Sequence, residues 1–285
     1  MRICSLLPSA TEIVAALGLA DSLVGVSDEC DFPPEVLELP VVSASRVAGD
    51  GLSSLQIDAA VRAALAEGRS LYAVDEELIE SLAPDLILTQ DLCAVCAVSS
   101  GELCGLRTPS LAVDAHTIDE IRRSILLVAD VLGVASRGRD VVKGIGSTIE
   151  QVEHSVLGAP RRRVFVAEWL DPPFAAGHWV PEMVARAGGE EVLGRPGALS
   201  FRTTWDAVRA QRPELVVVAP CGFDHERAAR EARGLDLGCR TVAVDASAYY
   251  ARPGPRVADG VAQLGFLIHP GRVEDPGLPY VELAT

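Results

Sequence analysis

The chain has 285 residues, 49% of them hydrophobic and 23% charged. At roughly 150 residues per domain that composition predicts about two domains and excludes both a disordered chain and a mini-protein that needs staples. The 40 acidic residues against 25 basic ones leave a net charge of -15, which repels phosphate backbones and anionic lipid, so neither nucleic acid nor direct membrane insertion is expected. No run approaches the ~20 uninterrupted apolar residues of a spanning helix. Met1-Arg2 leads into a short apolar stretch with no small-residue cleavage site after it, so the chain as written is expected in the cytoplasm, and outside it if a leader has been trimmed. Seven cysteines, an odd number, suggest free, metal-bound or redox-active thiols rather than a disulfide lattice.

In chain order, Ile3 to Leu7 reads as a buried strand, followed by a helix with a capping box of Ser9 at N-cap and Glu12 at N3 and with Gly18 at its end. Strands follow at Leu23–Val26 and Pro40–Ser43, separated by the turn Asp31-Phe32-Pro33-Pro34. Ser53 with Gln56 opens a helix to about Glu67, Asp75 caps another through Leu82, Pro84 breaks it, and Leu86–Leu88 is a buried strand. Thr117 to Leu132 and Ser136 to about Val156 are periodic helices; the second carries Val141, Val142, Ile145, Ile149, Val152 and Val156 at helical spacing. The β/α alternation then restarts with a strand at Arg163–Ala167, a short helix at Pro181–Ala187, and strands at Leu215–Ala219 and Thr241–Val244.

This pattern predicts an α/β fold: two small Rossmann-like lobes with mainly parallel sheets, residues 1–135 and 158–285, joined by one long helix over 136–157. At 1.5 Å per residue that helix is on the order of 30 Å long. Ligands of such sheets bind beyond the C-terminal strand ends.

The order of motifs carries a resemblance. Ser5-Leu6-Leu7-Pro8-Ser9-Ala10-Thr11-Glu12 and Val24-Gly25-Val26-Ser27 precede Asp31-Phe32-Pro33-Pro34; later come Leu82-Ala83-Pro84-Asp85-Leu86-Ile87, Asp171-Pro172-Pro173-Phe174, Ala187-Gly188-Gly189 and Arg252-Pro253-Gly254-Pro255-Arg256. Over nearly its whole length the chain resembles the helical-backbone substrate-binding proteins of ABC importers for vitamin B12, siderophores and haem, and within them the cobalamin-binding branch. The resemblance implies a small-molecule ligand, a corrinoid, held in an inter-lobe cleft. It further implies no required cofactor, an ABC permease as partner, a monomer, and an extracytoplasmic location. At two cleft positions where the B12 receptors of that branch place tryptophan, this chain has Ser45 and Gln90.

With the lobes facing each other, the strand ends would bring Pro8, Asp91 and Leu92 opposite Glu168, Trp169, Phe174, His178, Trp179, Phe223, Tyr249 and Tyr250, with Arg252 near them. All three tryptophans (Trp169, Trp179 and Trp205) lie in the second half of a chain only 5% aromatic, and such rings grip a large planar ligand at low entropic cost. Their other use is to fill the second lobe's core. His178 is the candidate for contact with a metal centre, since imidazole suits cobalt or iron; His116, His154, His225 and His269 show no metal spacing.

Cys93-Ala94-Val95-Cys96 has CxxC spacing after a strand, where a helix N-terminus would lower a thiol pKa. Alone it is too few ligands for closed zinc, although Cys30, Cys104 or Cys221 could complete one. Glu77 and Asp206 match the places where importer-docking relatives carry one carboxylate per lobe, and each equally suits a first helical turn. The common enzyme signatures, a phosphate-binding glycine loop, GxSxG and HExxH, are absent. The resulting expectation is a non-enzymatic binding protein for a corrinoid, with haem or a ferric siderophore as the alternative ligand and a cytoplasmic thiol protein using Cys93 and Cys96 as the rival function.

Overall fold

The computed structural model describes residues 1–47, 51–91, 97–103 and 105–283. It divides into two units: residues 1–52, 56–115 and 120–142, and residues 53–55, 116–119 and 143–285.

In the first unit, β1 (Ile3–Ser5) leads into α1 (Pro8–Ala16). The capping box does not form. Pro8 begins the helix at its first position, where a missing N–H costs nothing, so Ser9 lies inside the helix with its hydroxyl unpartnered and Glu12 is buried. Then come β2 (Leu23–Ser27), β3 (Val41–Ser45), α2 (Ser54–Ala66), β4 (Tyr72–Val74), α3 (Glu76–Leu82), β5 (Leu86–Thr89), β6 (Ser110–Ala112) and α4 (Ile118–Val131), the first two residues of α2 and of α4 belonging to the second unit. Asp75 caps α3, its carboxylate accepting from the Leu78 N–H at 2.9 Å.

The described strands pair in the order β4-β3-β2-β1-β5-β6, all parallel except β3 with β4. Four buried strand residues in a row at β5 are what a sheet covered on both faces requires. Gly25 permits this packing: a Cβ there would come within 2.8 Å of Val42 and 3.1 Å of Leu82. Cys4, Val42, Ala64, Tyr72, Ile79 and Ile87 form the core around it.

α5 (Ala135–Ser155) begins in the first unit and ends in the second. Its Ile145, Ile149 and Val152, with Val156 just beyond, are the buried stripe that the spacing predicts. At its start Arg137 donates to the carbonyls of Leu17 and Gly18, satisfying the C-terminus of α1.

The second unit contains β7 (Arg162–Leu170), β8 (Pro173–Ala175), α6 (Val180–Arg186), β9 (Gly189–Glu191), β10 (Phe201–Arg202), α7 (Trp205–Ala210), β11 (Leu215–Val218), α8 (His225–Glu231), β12 (Arg240–Val244), α9 (Ala246–Tyr249), α10 (Val257–Ile268) and β13 (Tyr280–Leu283). The sheet runs β10-β8-β7-β11-β12-β13, with β9 also on β7. Its central β7, β11 and β12 are parallel, so their C-termini share one edge, while β8, β10 and β13 are antiparallel additions. α10 is apolar almost all round and packs as an interior helix.

Candidate functional site

The shared edge of β7, β11 and β12 collects the aromatic residues. Trp169 closes β7 opposite Phe174 of β8, and both rings are half-buried. The Trp169 indole donates to the Ser54 carbonyl at 3.1 Å and tilts against Phe223 with centroids 5.3 Å apart. Phe223 follows β11 and is 2% exposed, and the Arg227 guanidinium lies 3.9 Å from its ring centre. Asp224 caps α8 through the Arg227 N–H at 2.6 Å, which sets Arg227 in the first helical turn just beyond Phe223.

After β12, Asp245 caps α9 through the Ala248 N–H at 2.8 Å. Burial holds its carboxyl above the ordinary range against the pull of that N–H, with Asp224 adding to the rise. Tyr249 is half-buried, its phenol pKa raised by burial, and Arg256 sits 5.4 Å from its ring centre. Arg252 is 8% exposed and donates to the Ser247 hydroxyl at 3.1 Å.

Three of the expected site residues lie inside the unit. Tyr250 donates its hydroxyl to Gln263 at 2.8 Å, Trp179 donates its indole N–H to the Tyr250 carbonyl at 2.9 Å, and Phe223 backs Trp169. Tyr250, Phe223 and Trp179 are therefore the packing beneath the edge, and Trp169, Phe174 and Tyr249 supply the accessible ring surface. Glu168, half-buried, lines a shallow crevice with Val166, Ala219 and Tyr250.

His178 follows β8 with a left-handed backbone, φ 53°. Burial lowers its pKa first, and neighbouring His116 lowers it further. The rings of His116 and His178 stack at 5.5 Å, a pairing across 62 positions that spacing arguments had passed over. Arg227 was also missed, although its position four residues after Phe223 at a helix start is a usable signal. A third omission is Glu191, half-buried, its carboxylate accepting from the backbone N–H groups of Val166, Leu193 and Gly194 at 3.0–3.2 Å.

In the first unit Pro8 is buried at the start of α1. The Asp91 carboxylate accepts from the Ser100 N–H and hydroxyl, both at 2.8 Å, and its own N–H donates to Asp114. Leu92, Cys93, Cys96 and Cys104 lie outside the described residues. Cys30 is buried beside the Thr11 hydroxyl, and Cys221 is exposed. Among the described residues no three of His, Cys, Asp and Glu converge as a metal set. Glu77 is exposed in the first turn of α3; Asp206, exposed in the first turn of α7, accepts from Arg209 at 2.9 Å. No helix among the described residues is long and apolar enough to cross a membrane.

Comparison with known proteins identifies the family and the fold. A family model described as periplasmic binding protein matches residues 3–236. A vitamin B12-binding protein of Vibrio cholerae is 24% identical over 92% of this chain and 87% of its own length. An uncharacterized ABC transporter substrate-binding lipoprotein of Bacillus subtilis is 24% identical over 94% and 80%. Among solved structures, the periplasmic heme-binding protein of Roseiflexus sp. RS-1 superposes with a TM-score of 0.69 at 21% identity, covering 94% of this chain and 98% of that one. The two-lobe α/β fold with mainly parallel sheets is thus shared.

Proposed function

Because the chain belongs to the periplasmic binding protein family, whose members bind substrates and are not enzymes, we propose that it holds a corrinoid against the Trp169, Phe174 and Tyr249 edge of its second unit. The observation that carries this reading is the accessible ring surface at the C-terminal ends of β7 and β12 in a chain with so few aromatics. Flat rings suit a flat macrocycle, and their two side-chain torsions cost little entropy to fix. The B12-binding name of a relative at 24% identity supports the same ligand.

A second reading, haem, is favoured by the guanidiniums of Arg227 and Arg256 over the Phe223 and Tyr249 rings. Cations fixed at that edge suit peripheral carboxylates, which a haem carries and a cobalamin does not. Delivery to an ABC permease through Glu77 and Asp206, and a location outside the cytoplasm, complete the proposal. As a cargo binder the protein calls for no cofactor.

Titration with cobalamin, cobinamide and haem, followed by tryptophan fluorescence and ligand absorption, tests the proposal. Saturable quenching by a corrinoid supports the first reading, quenching by haem alone transfers it to the second, and binding of neither overturns both.

A further inference from the structure

We propose that His116 and His178 form a two-point site for a divalent transition-metal ion of the zinc and cobalt class. The site stands apart from the macrocycle proposal, for a geometric reason. A metal inside a corrin or porphyrin offers its free positions on opposite faces of the ring, so two neighbouring imidazoles on one side cannot both reach it. A bare ion offers adjacent positions. With metal–nitrogen bonds of about 2.0–2.1 Å, two imidazoles in adjacent positions have ring centres roughly 5 Å apart; here the centroids lie 5.5 Å apart in a stacked pair with planes 29° from parallel, so binding calls for rotation about the ring torsions that turns both edges toward one ion.

The backbone at and near each histidine is fixed by its surroundings. The His178 N–H donates to the Ala198 carbonyl at 2.6 Å, and its carbonyl accepts from the Gly197 N–H at 2.8 Å. The chain passes so close that a Cβ on Gly177 would lie 2.3 Å from the Ser200 nitrogen. This clamp keeps a non-glycine residue at φ 53°, and such over-determined conformations cluster at functional sites. Near His116, Glu182 in the first turn of α6 accepts from the Ile118 N–H at 3.0 Å, two residues along.

The hydrogen bonding of His178 points the same way. Its Nδ1 lies 3.5 Å from the Ser200 hydroxyl, while its Nε2 is buried without a partner. Ligating histidines commonly give one ring nitrogen to a hydrogen-bond partner and the other to the metal, and a buried polar atom without a partner calls for an explanation. Both residues are half-buried. With no third protein ligand among the described residues, its remaining positions are open, and the site suits an exchangeable ion rather than a structural one.

The test uses the full chain, stripped with chelator and titrated with Co²⁺ by visible absorption and then with Zn²⁺ in competition. One saturating equivalent with the bands of nitrogen-bound cobalt, displaced by zinc, is expected. His116→Gln and His178→Gly should each weaken binding at least ~10-fold, since even the loss of an outer partner costs about that much. Glycine adopts the left-handed conformation freely, so His178→Gly keeps the turn while removing the ring; unchanged thermal unfolding of the stripped variants confirms their fold. Corrinoid and haem titrations of His116→Gln should match the parent. Absence of saturable cobalt signal up to about 1 mM, the weak end of specific binding, overturns the proposal. So does cobalt binding that survives in both folded variants.

Discussion

Where β2, β3 and β5 of the first unit end, the chain places Asp28, Ser45 and Asp91, whereas β7, β11 and β12 of the second unit lead into Trp169, Phe223 and Tyr249. The strand geometry is alike, and the finish differs. The polar edge is occupied with itself: Asp28 accepts from the Ser45 N–H at 3.1 Å, and Asp91 ties down Ser100. The aromatic edge leaves ring surface over and stiffens it from beneath, Phe223 behind Trp169 and the Trp179–Tyr250 bond below. A parallel sheet specifies where a site can be; the loop residues decide which sheet edge has anything left to bind with.

The largest effect expected on this contrast concerns the cost of building the second unit. Glu191 is half-buried, and the desolvation of its carboxyl outweighs its backbone N–H partners, pushing it from 4.5 up to about 7. The folded pKa lies above the unfolded one, so the contribution to stability is full below about 4.5 and is lost as pH rises through about 7, a swing of up to ~3 kcal/mol. All three tryptophans lie in this unit, so denaturant unfolding followed by tryptophan fluorescence at several pH values reports it directly. Glu191→Gln should flatten the slope between pH 5 and 7; an unchanged slope removes Glu191 as its source.

Next in size is binding itself. Trp169→Ala should cost about 2 kcal/mol, or roughly 30-fold in ligand affinity, as the loss of a central aromatic contact does. Asp91→Asn in the first unit should change affinity by less than about 3-fold, because its carboxylate is engaged within its own loop. Calorimetry of both variants with the ligand identified by titration measures the difference. Equal losses would mean that the polar edge binds as strongly as the aromatic one.

A smaller effect separates rings that bind from rings that support. Tyr250→Phe removes the hydroxyl that Gln263 accepts from in the interior, and leaving that acceptor unpaired costs about 1–3 kcal/mol of stability. Ligand affinity should hold within ~2-fold, because Tyr250 is 2% exposed. Thermal unfolding and titration of the same variant check both halves.

Long periodic elements were legible in the sequence, and juxtapositions were not. The stripe Ile145, Ile149, Val152 and Val156 announces α5 because nothing competes with a 3.6-residue period over five turns. The S-x-x-E pattern at Ser9 misleads because Pro8, itself a start signal, opens the helix earlier. Strands of two or three residues such as β9 and β10 carry too little pattern to register, and α10 is apolar on too many sides to show a period. Trp169 and Trp179 look alike in sequence; only the fold makes one an edge residue and the other an interior one. His116 and His178 meet through a left-handed turn at a residue type that gives no warning of it.

The smallest expected effect is a gain. Ser45 ends β3 at the polar edge, half-buried, and its hydroxyl accepts from the nearby Val47 N–H at 3.3 Å. That position is one where the resembling B12 receptors place tryptophan. Ser45→Trp adds one flat ring to this edge. If that edge shares in holding a planar ligand, the added contact should tighten binding by about 0.5–1.5 kcal/mol, or roughly 2- to 10-fold. The same variant should leave affinity for free Co²⁺ unchanged, since His116 and His178 belong to the other unit. Corrinoid or haem titration of Ser45→Trp beside the parent decides the matter. No tightening with the fold intact would mean that the first unit's edge takes no part in binding, and that the aromatic edge of the second unit acts alone.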